Sequence, residues 1–232
     1  MNLLLNIISK NNIVKKVARK VVKKEHLLTD PNLYFDCTKR KINKKVFLED
    51  EYIENCKLIS CREKLLEKMP QNGVYAEVGV AEGYFSSKII EACNPKKWYM
   101  IEYGEDYCNE LKKKFNKEIK DGIVEILQGD SVDMLKMLDD KSLDFVYLDA
   151  THDYEHPKAE LNVCKNKVKD DGYIMGHDYT RFSMWEGEQY GVIEAVNEFM
   201  INNQYEMMYL TTDMLHSNAS YAIKRNNKEI KN

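Results

Sequence analysis

Apolar and polar positions along this chain follow two rhythms that trade places repeatedly. Short apolar runs at Val74–Val78, Trp98–Ile101, Ile123–Leu127, Leu143–Leu148 and Gly172–Met175 read as strands. Helical spacing fills the stretches between them, at Tyr84–Ala92, Asp106–Phe115, Val132–Leu138 and His156–Val168, with a further helix at Gly191–Met200. Two last apolar stretches, Glu206–Leu210 and Ala219–Ile223, suit a closing antiparallel pair. Repeated strand–helix units predict an α/β fold, a mostly parallel sheet with helices on both faces. Upstream, Asp50–Met69 has a helical pattern closed by Pro70 and the turn at Gln71-Asn72-Gly73. Ile13–Lys24 reads as an amphipathic helix, with Val14, Val17, Val21 and Val22 on one side and lysines on the other.

Charge divides the chain unevenly. The first 48 residues hold 12 Lys/Arg against 3 Asp/Glu, a net +9, which leaves −12 on the rest of a chain whose total is −3. The division predicted is a basic N-terminal helical extension over 1–48 and one catalytic-sized domain over 49–232. An acidic body argues against a nucleic-acid enzyme, whose basic surface surrounds its cleft. The basic helix suits either an anionic membrane surface or a second copy of the chain. No apolar run reaches membrane-spanning length, and the charges follow the apolar Met1–Ser9 instead of preceding it, unlike a signal peptide. The six cysteines include no CxxC pair, as expected of reduced, buried thiols in a cytoplasmic protein at most peripheral to the inner membrane face.

In open α/β sheets a ligand sits beyond the carboxyl ends of the strands, so the residues there carry the chemistry. The first strand runs into Glu77-x-Gly79-x-x-x-Gly83. Its glycines permit a tight turn and close approach by a ligand, but the spacing is not the dinucleotide fingerprint. An acid before the loop suits the amino group of a methionine moiety better than a pyrophosphate. The second strand ends at Glu102, an acid able to accept both hydroxyls of a ribose. The third ends in Gly129-Asp130-Ser131, where a carboxylate reaches an adenine amino group or caps the next helix. The fourth ends in Asp149-x-x-His152-x-Tyr154 and the fifth in His177-Asp178-Tyr179. If these two strands are neighbours, Asp149 and Asp178 approach one another over a common cleft. Paired carboxylates need a shared proton or a cation such as Mg²⁺. His152 is a reasonable general base.

Together these residues, with Gly172 and Tyr190-Gly191-Val-Ile-Glu-Ala-Val-Asn-Glu-Phe199, resemble the class I methyltransferases of the "methyltransferase domain 24" type over about Gly73–Phe199. The resemblance implies a Rossmann-like, seven-stranded sheet in the order 3-2-1-4-5-7-6 and S-adenosylmethionine (SAM) as cofactor. It makes Glu77, Gly79 and Gly83, with Val80, Tyr84 and Phe85 beside them, the SAM loop. Glu102 holds the ribose, Gly129, Asp130 and Ser131 the adenine end, and Asp149 lies beside the cofactor. Relatives that methylate sugar hydroxyls hold a divalent metal with acids after the fourth and fifth strands. Asp149, His177 and Asp178 fall there, although His177 replaces one of the relatives' paired acids. Similar enzymes in surface-polysaccharide gene clusters suggest a sugar or nucleotide-sugar acceptor. His152 would remove the hydroxyl proton, with Asp149 and Asp178 supporting it.

Tyr154, His177, Tyr179, Arg181, Trp185 and Tyr190 are the candidate acceptor residues, the last three on a lid after the fifth strand. No Asn/Asp-Pro-Pro-Tyr segment follows the fourth strand, which argues against amino methylation of bases. A catechol-like metal-dependent O-methyltransferase is an alternative, although the Lys-containing motif of that group is replaced by His152-Asp153. An NAD-dependent oxidoreductase is disfavoured by the glycine spacing. A non-catalytic SAM-binding scaffold is disfavoured by the intact loop with His152 and Asp178.

Overall fold

The computed structural model describes residues 45–183, 188–212 and 218–226. The predicted amphipathic helix at Ile13–Lys24, Cys37 and Trp185 lie outside the described residues. The chain divides into two compact units. The larger comprises Lys44–Arg181 and Tyr190–Asn232, and Phe182–Gln189 belongs to the smaller. Within the smaller unit, β7 (Phe182–Ser183) and β8 (Glu188–Gln189) form an antiparallel two-stranded ladder.

In the larger unit strands and helices alternate from residue 57 onward: β1 (Lys57–Ile59), α1 (Arg62–Leu66), β2 (Val74–Val78), α2 (Tyr84–Cys93), β3 (Lys97–Glu102), α3 (Glu105–Lys114) and α4 (Asn116–Lys120). There follow β4 (Val124–Gln128), α5 (Ser131–Met137), β5 (Leu143–Leu148), α6 (Glu155–Lys167), β6 (Val168–Gly176), α7 (Val192–Asn203), β9 (Tyr205–Thr211) and β10 (Tyr221–Arg225). The sheet order is β1-β9-β10-β6-β5-β2-β3-β4. Counted from β2, its last seven strands have the order 3-2-1-4-5-7-6 that the resemblance implies. β10 runs antiparallel to both its neighbours, and every other pairing is parallel.

The sheet has eight strands, not seven, and the added one replaces a predicted helix. Asp50–Met69 folds as a 3-10 turn at Asp50–Tyr52, then β1, then the short α1. The cause is tertiary. Lys57–Ile59 pairs with Tyr209–Thr211 of β9, and Thr212 N donates to Ile59 O at 2.9 Å. Pairing with a ready sheet edge overrides a modest helical preference.

Both faces of the sheet are buried, and adjacent residues of one strand serve opposite faces. On β5, Val146 and Leu148 join Leu135, Leu161, Val196 and Phe199 beneath α5, α6 and α7. Phe145 and Tyr147 join Leu65, Phe85, Ile89 and Leu111 beneath α1, α2 and α3. Phe145 stacks on Tyr75 with ring centres 4.0 Å apart, a contact worth about 0.5–1.5 kcal/mol beyond its buried area. Of the five described cysteines, all unpaired, Cys93, Cys108 and Cys164 are buried while Cys56 and Cys61 are only half-buried. No helix among the described residues is long and apolar enough to cross a membrane.

Candidate active site

The strands β2, β3, β5 and β6 end side by side, and their carboxyl ends form the site. Gly79 and Gly83 are in the left-handed region, with φ of +81° and +68°. A Cβ on Gly79 would lie 2.1 Å from Asp149 O, so the loop after β2 passes directly against the end of β5. A Cβ on Gly83 would meet Leu111 and Phe115 at 2.7 and 2.8 Å, so α2 packs closely on α3. Glycine at these positions is a requirement of both conformation and space.

Glu77 is only 2% exposed. Burial pushes its carboxyl up to about 8, opposed by a hydrogen bond from Ser86 and the charge of Arg62. Ser86 Oγ donates to Glu77 Oε2. Glu102 accepts from Ala81 N at 2.9 Å and Gly104 N at 2.8 Å, so one carboxylate ties the loop after β2 to the loop after β3. Its two oxygens have lone-pair capacity beyond these two donors. Asp130 caps α5 by accepting from Asp133 N at 3.2 Å. Ser131 Oγ donates at 2.6 Å to Glu160, a buried acid on α6 that burial pushes up to about 7.

At the next strand ends Asp149, His152 and Asp178 converge. His152 Nε2 is 2.8 Å from Asp178 Oδ2, and the imidazole stacks on the buried Tyr190 ring at 4.3 Å. Asn218 Nδ2 donates to Asp178 Oδ1 at 2.5 Å. Although burial opposes it, the donors and charges of His152, His177 and Asn218 hold Asp178 below the ordinary carboxylate range. Asp149 behaves in the opposite way. Burial, then the neighbouring charge of Asp178, pushes it up to about 7 against the pull of Arg62 and His152. One acid is therefore held ionised beside one inclined to keep a proton.

One ligand atom from each of Asp149, His152 and Asp178 can lie within 4.8 Å of the others, close enough to share a cation. The imidazole makes this an N/O set. It suits Mn²⁺ or another transition ion and fits Mg²⁺ poorly, since Mg²⁺ takes oxygen ligands in near-ideal octahedra. His177 does not belong to this group. Its Nδ1 is 2.8 Å from Ser220 Oγ, and its Nε2 lies 4.0 Å from Asp178 Oδ1. The metal-capable histidine is therefore His152, because adjacent residues leaving a strand point in different directions.

The predicted acceptor residues are less gathered. Tyr190 lines the imidazole. The Tyr154 hydroxyl is tied into a pair between Lys158 and Glu198, at 2.9 and 2.7 Å. Tyr179 donates to Asn197 at 2.6 Å. The Arg181 charge faces the buried Glu194, Nε to Oε1 2.7 Å. The sequence reading missed Arg62, Ser86, Glu160 and Asn218. Only Ser86, one turn beyond Gly83 on the loop helix, carried a positional signal.

Residues 76–179 match the family model described as a methyltransferase domain. No curated protein sequence matches the chain. Among solved structures, the chain is similar to the M1A22 tRNA methyltransferase TrmK of B. subtilis, with 12% identity, 72% of this chain and 67% of that chain covered, and a TM-score of 0.55. It is also similar to a SAM-dependent methyltransferase from Aquifex aeolicus, with 18% identity, 69% and 87% covered, and a TM-score of 0.54. TYW2 of M. jannaschii, in complex with AdoMet, has 17% identity, 78% and 80% covered, and a TM-score of 0.50. At these identities the likeness is one of fold.

Proposed function

We propose that this chain is a class I SAM-dependent methyltransferase that transfers the methyl group to a hydroxyl of a small polar acceptor, a sugar or nucleotide-sugar, with His152 as general base. The observation that carries the proposal is the His152–Asp178 pair at 2.8 Å, beside Asp149 and against the loop that holds Gly79. The sulfonium already activates the methyl group, so the protein has to align an acceptor oxygen and remove its proton. The new O–C bond forms as the C–S bond breaks, SAM becomes the neutral thioether S-adenosylhomocysteine (SAH), and the hydroxyl proton passes to the imidazole. Ionised Asp178 stabilises the imidazolium and Tyr190 fixes the plane of the ring. On this reading Glu77 faces the ammonium of the cofactor, Glu102 its ribose, and Asp130 with Ser131 its adenine.

The convergence of Asp149, His152 and Asp178 favours a second reading, a metal-dependent O-methyltransferase of the catechol-like kind. A transition ion held by these three would supply Lewis-acid polarisation of the acceptor oxygen. We place the enzyme in the cytoplasm, with the basic N-terminal arm contacting an anionic membrane surface or a second copy.

One assay addresses both readings: transfer of labelled methyl from SAM to a panel of nucleotide-sugars, free sugars and catechols, with EDTA or with added Mn²⁺. The base reading expects transfer to a sugar hydroxyl in EDTA, and a loss of about 10²-fold or more in His152→Ala with SAH affinity unchanged. Undiminished turnover in the variant would remove His152 from the mechanism. Turnover that appears only with Mn²⁺, and on catechols, would favour the second reading.

A further inference from the structure

We propose that Arg62 anchors the carboxylate of the SAM methionine moiety. The inference rests on the methyltransferase reading and adds to it a residue from outside the matched segment. Arg62 opens α1, upstream of residues 76–179. The guanidinium carbon lies 4.7 Å over the ring of Phe85, in the first turn of α2. Its Nη1 is 3.6 Å from Asp149 Oδ2 at the end of β5. Its charge also acts on Glu77 at the end of β2. A single cation therefore borders the loop helix and Asp149, and its charge reaches Glu77.

The ligand's chemistry calls for such a group. The methionine moiety is a zwitterion. Its ammonium suits Glu77, but its carboxylate would be repelled by Glu77, Asp149 and Glu102 unless a cation lay between them. A guanidinium presents five N–H donors in a planar fork that matches a carboxylate. The present ion pairs of Arg62 are loose. The Asp149 contact at 3.6 Å and the Nε contact with Glu63 at 4.0 Å both exceed the roughly 2.7–2.9 Å of a charge-assisted bond. An incoming carboxylate can join or displace them. The Phe85 ring holds the guanidinium in place meanwhile, by a cation–π contact.

The test is isothermal titration calorimetry with SAH and with decarboxylated SAH, which keeps the amine, sulfur and nucleoside. Wild type is expected to prefer SAH by about 10- to 100-fold. Arg62→Ala should lose that preference by weakening SAH alone, and Arg62→Lys should retain part of it. Should Arg62→Ala melt well below wild type, Arg62→Gln takes its place in the comparison. Equal weakening of both ligands would show that Arg62 serves only to hold Asp149 and would overturn the proposal. So would an unchanged affinity for SAH, or a wild type indifferent to the carboxylate. A folded wild type that binds neither ligand would overturn the methyltransferase reading, and this assignment with it.

Discussion

Replacing Glu77 with Gln removes the ability to ionise and almost no volume. The native carboxyl is buried, and burial raises it from 4.5 to about 8 although Ser86 and Arg62 favour the ionised form. Without ligand at pH 7 it is therefore mostly protonated. A folded-state value above the unfolded one means that the group supports the fold fully below about pH 4.5 and loses that contribution as pH rises through about 8. The interval from 4.5 to about 8 corresponds to about 4–5 kcal/mol. Glu77→Gln never ionises, so it should melt above wild type near pH 9, and the difference should vanish near pH 4.5.

On the proposed placement, ligand binding should reverse the preference at this site: an ammonium against Glu77 would stabilise the carboxylate, so binding SAH below pH 8 should release a proton. Near pH 6 only about one Glu77 in a hundred is already ionised. Apparent affinity should then rise about tenfold per pH unit up to pH 7 and flatten above pH 8. Calorimetry near pH 6.5 in two buffers of different ionisation enthalpy counts the protons. Glu77→Gln should release about one fewer than wild type, and near pH 8 it should bind SAH about 10- to 100-fold more weakly. Equal proton release by the two proteins would refute the placement of the ammonium at Glu77.

Gly79→Ala should abolish SAH binding and cost about 2–4 kcal/mol of stability in urea titrations, because its Cβ would sit 2.1 Å from Asp149 O at a φ of +81°. A variant that binds normally would mean that the loop and the end of β5 are not in contact. Asp178→Asn keeps the acceptor for Asn218 and suits the left-handed backbone there, φ +58°. It should lower turnover by about 10²-fold and move the acid limb of the pH–rate profile to lower pH, since an imidazolium without its carboxylate partner is less stable. A limb that stays in place would detach Asp178 from the proton acceptor.

What was legible in the sequence is what local spacing encodes. The switch from short apolar runs to helical spacing located β2 to β6 and the helices between them except the short α4, because the central strands are buried on both faces. The fold rule that ligands sit beyond strand ends then drew attention to Glu77, Glu102, Asp149, His152 and Asp178. What escaped depends on partners distant in the chain. β1 exists because Tyr209–Thr211 offers an edge to three residues that carry no strand period of their own. Glu160 has the pattern of a solvent-facing helix position, and only the packing of α6 on α5 buries it against Ser131. His177 and Asp178 are adjacent in sequence yet serve different partners, Ser220 and His152. Arg62 precedes two leucines on a five-residue helix, and nothing in that pattern points to a cofactor. The matched segment supplies four carboxylates around the site, Glu77, Glu102, Asp149 and Asp178, and Arg62, from outside that segment, lies 3.6 Å from Asp149 and acts through its charge on Glu77. The sequence reading therefore proposed groups for the ammonium, the ribose and the proton but offered no counter-charge, because the nearness of Arg62 to Asp149 is settled by tertiary structure.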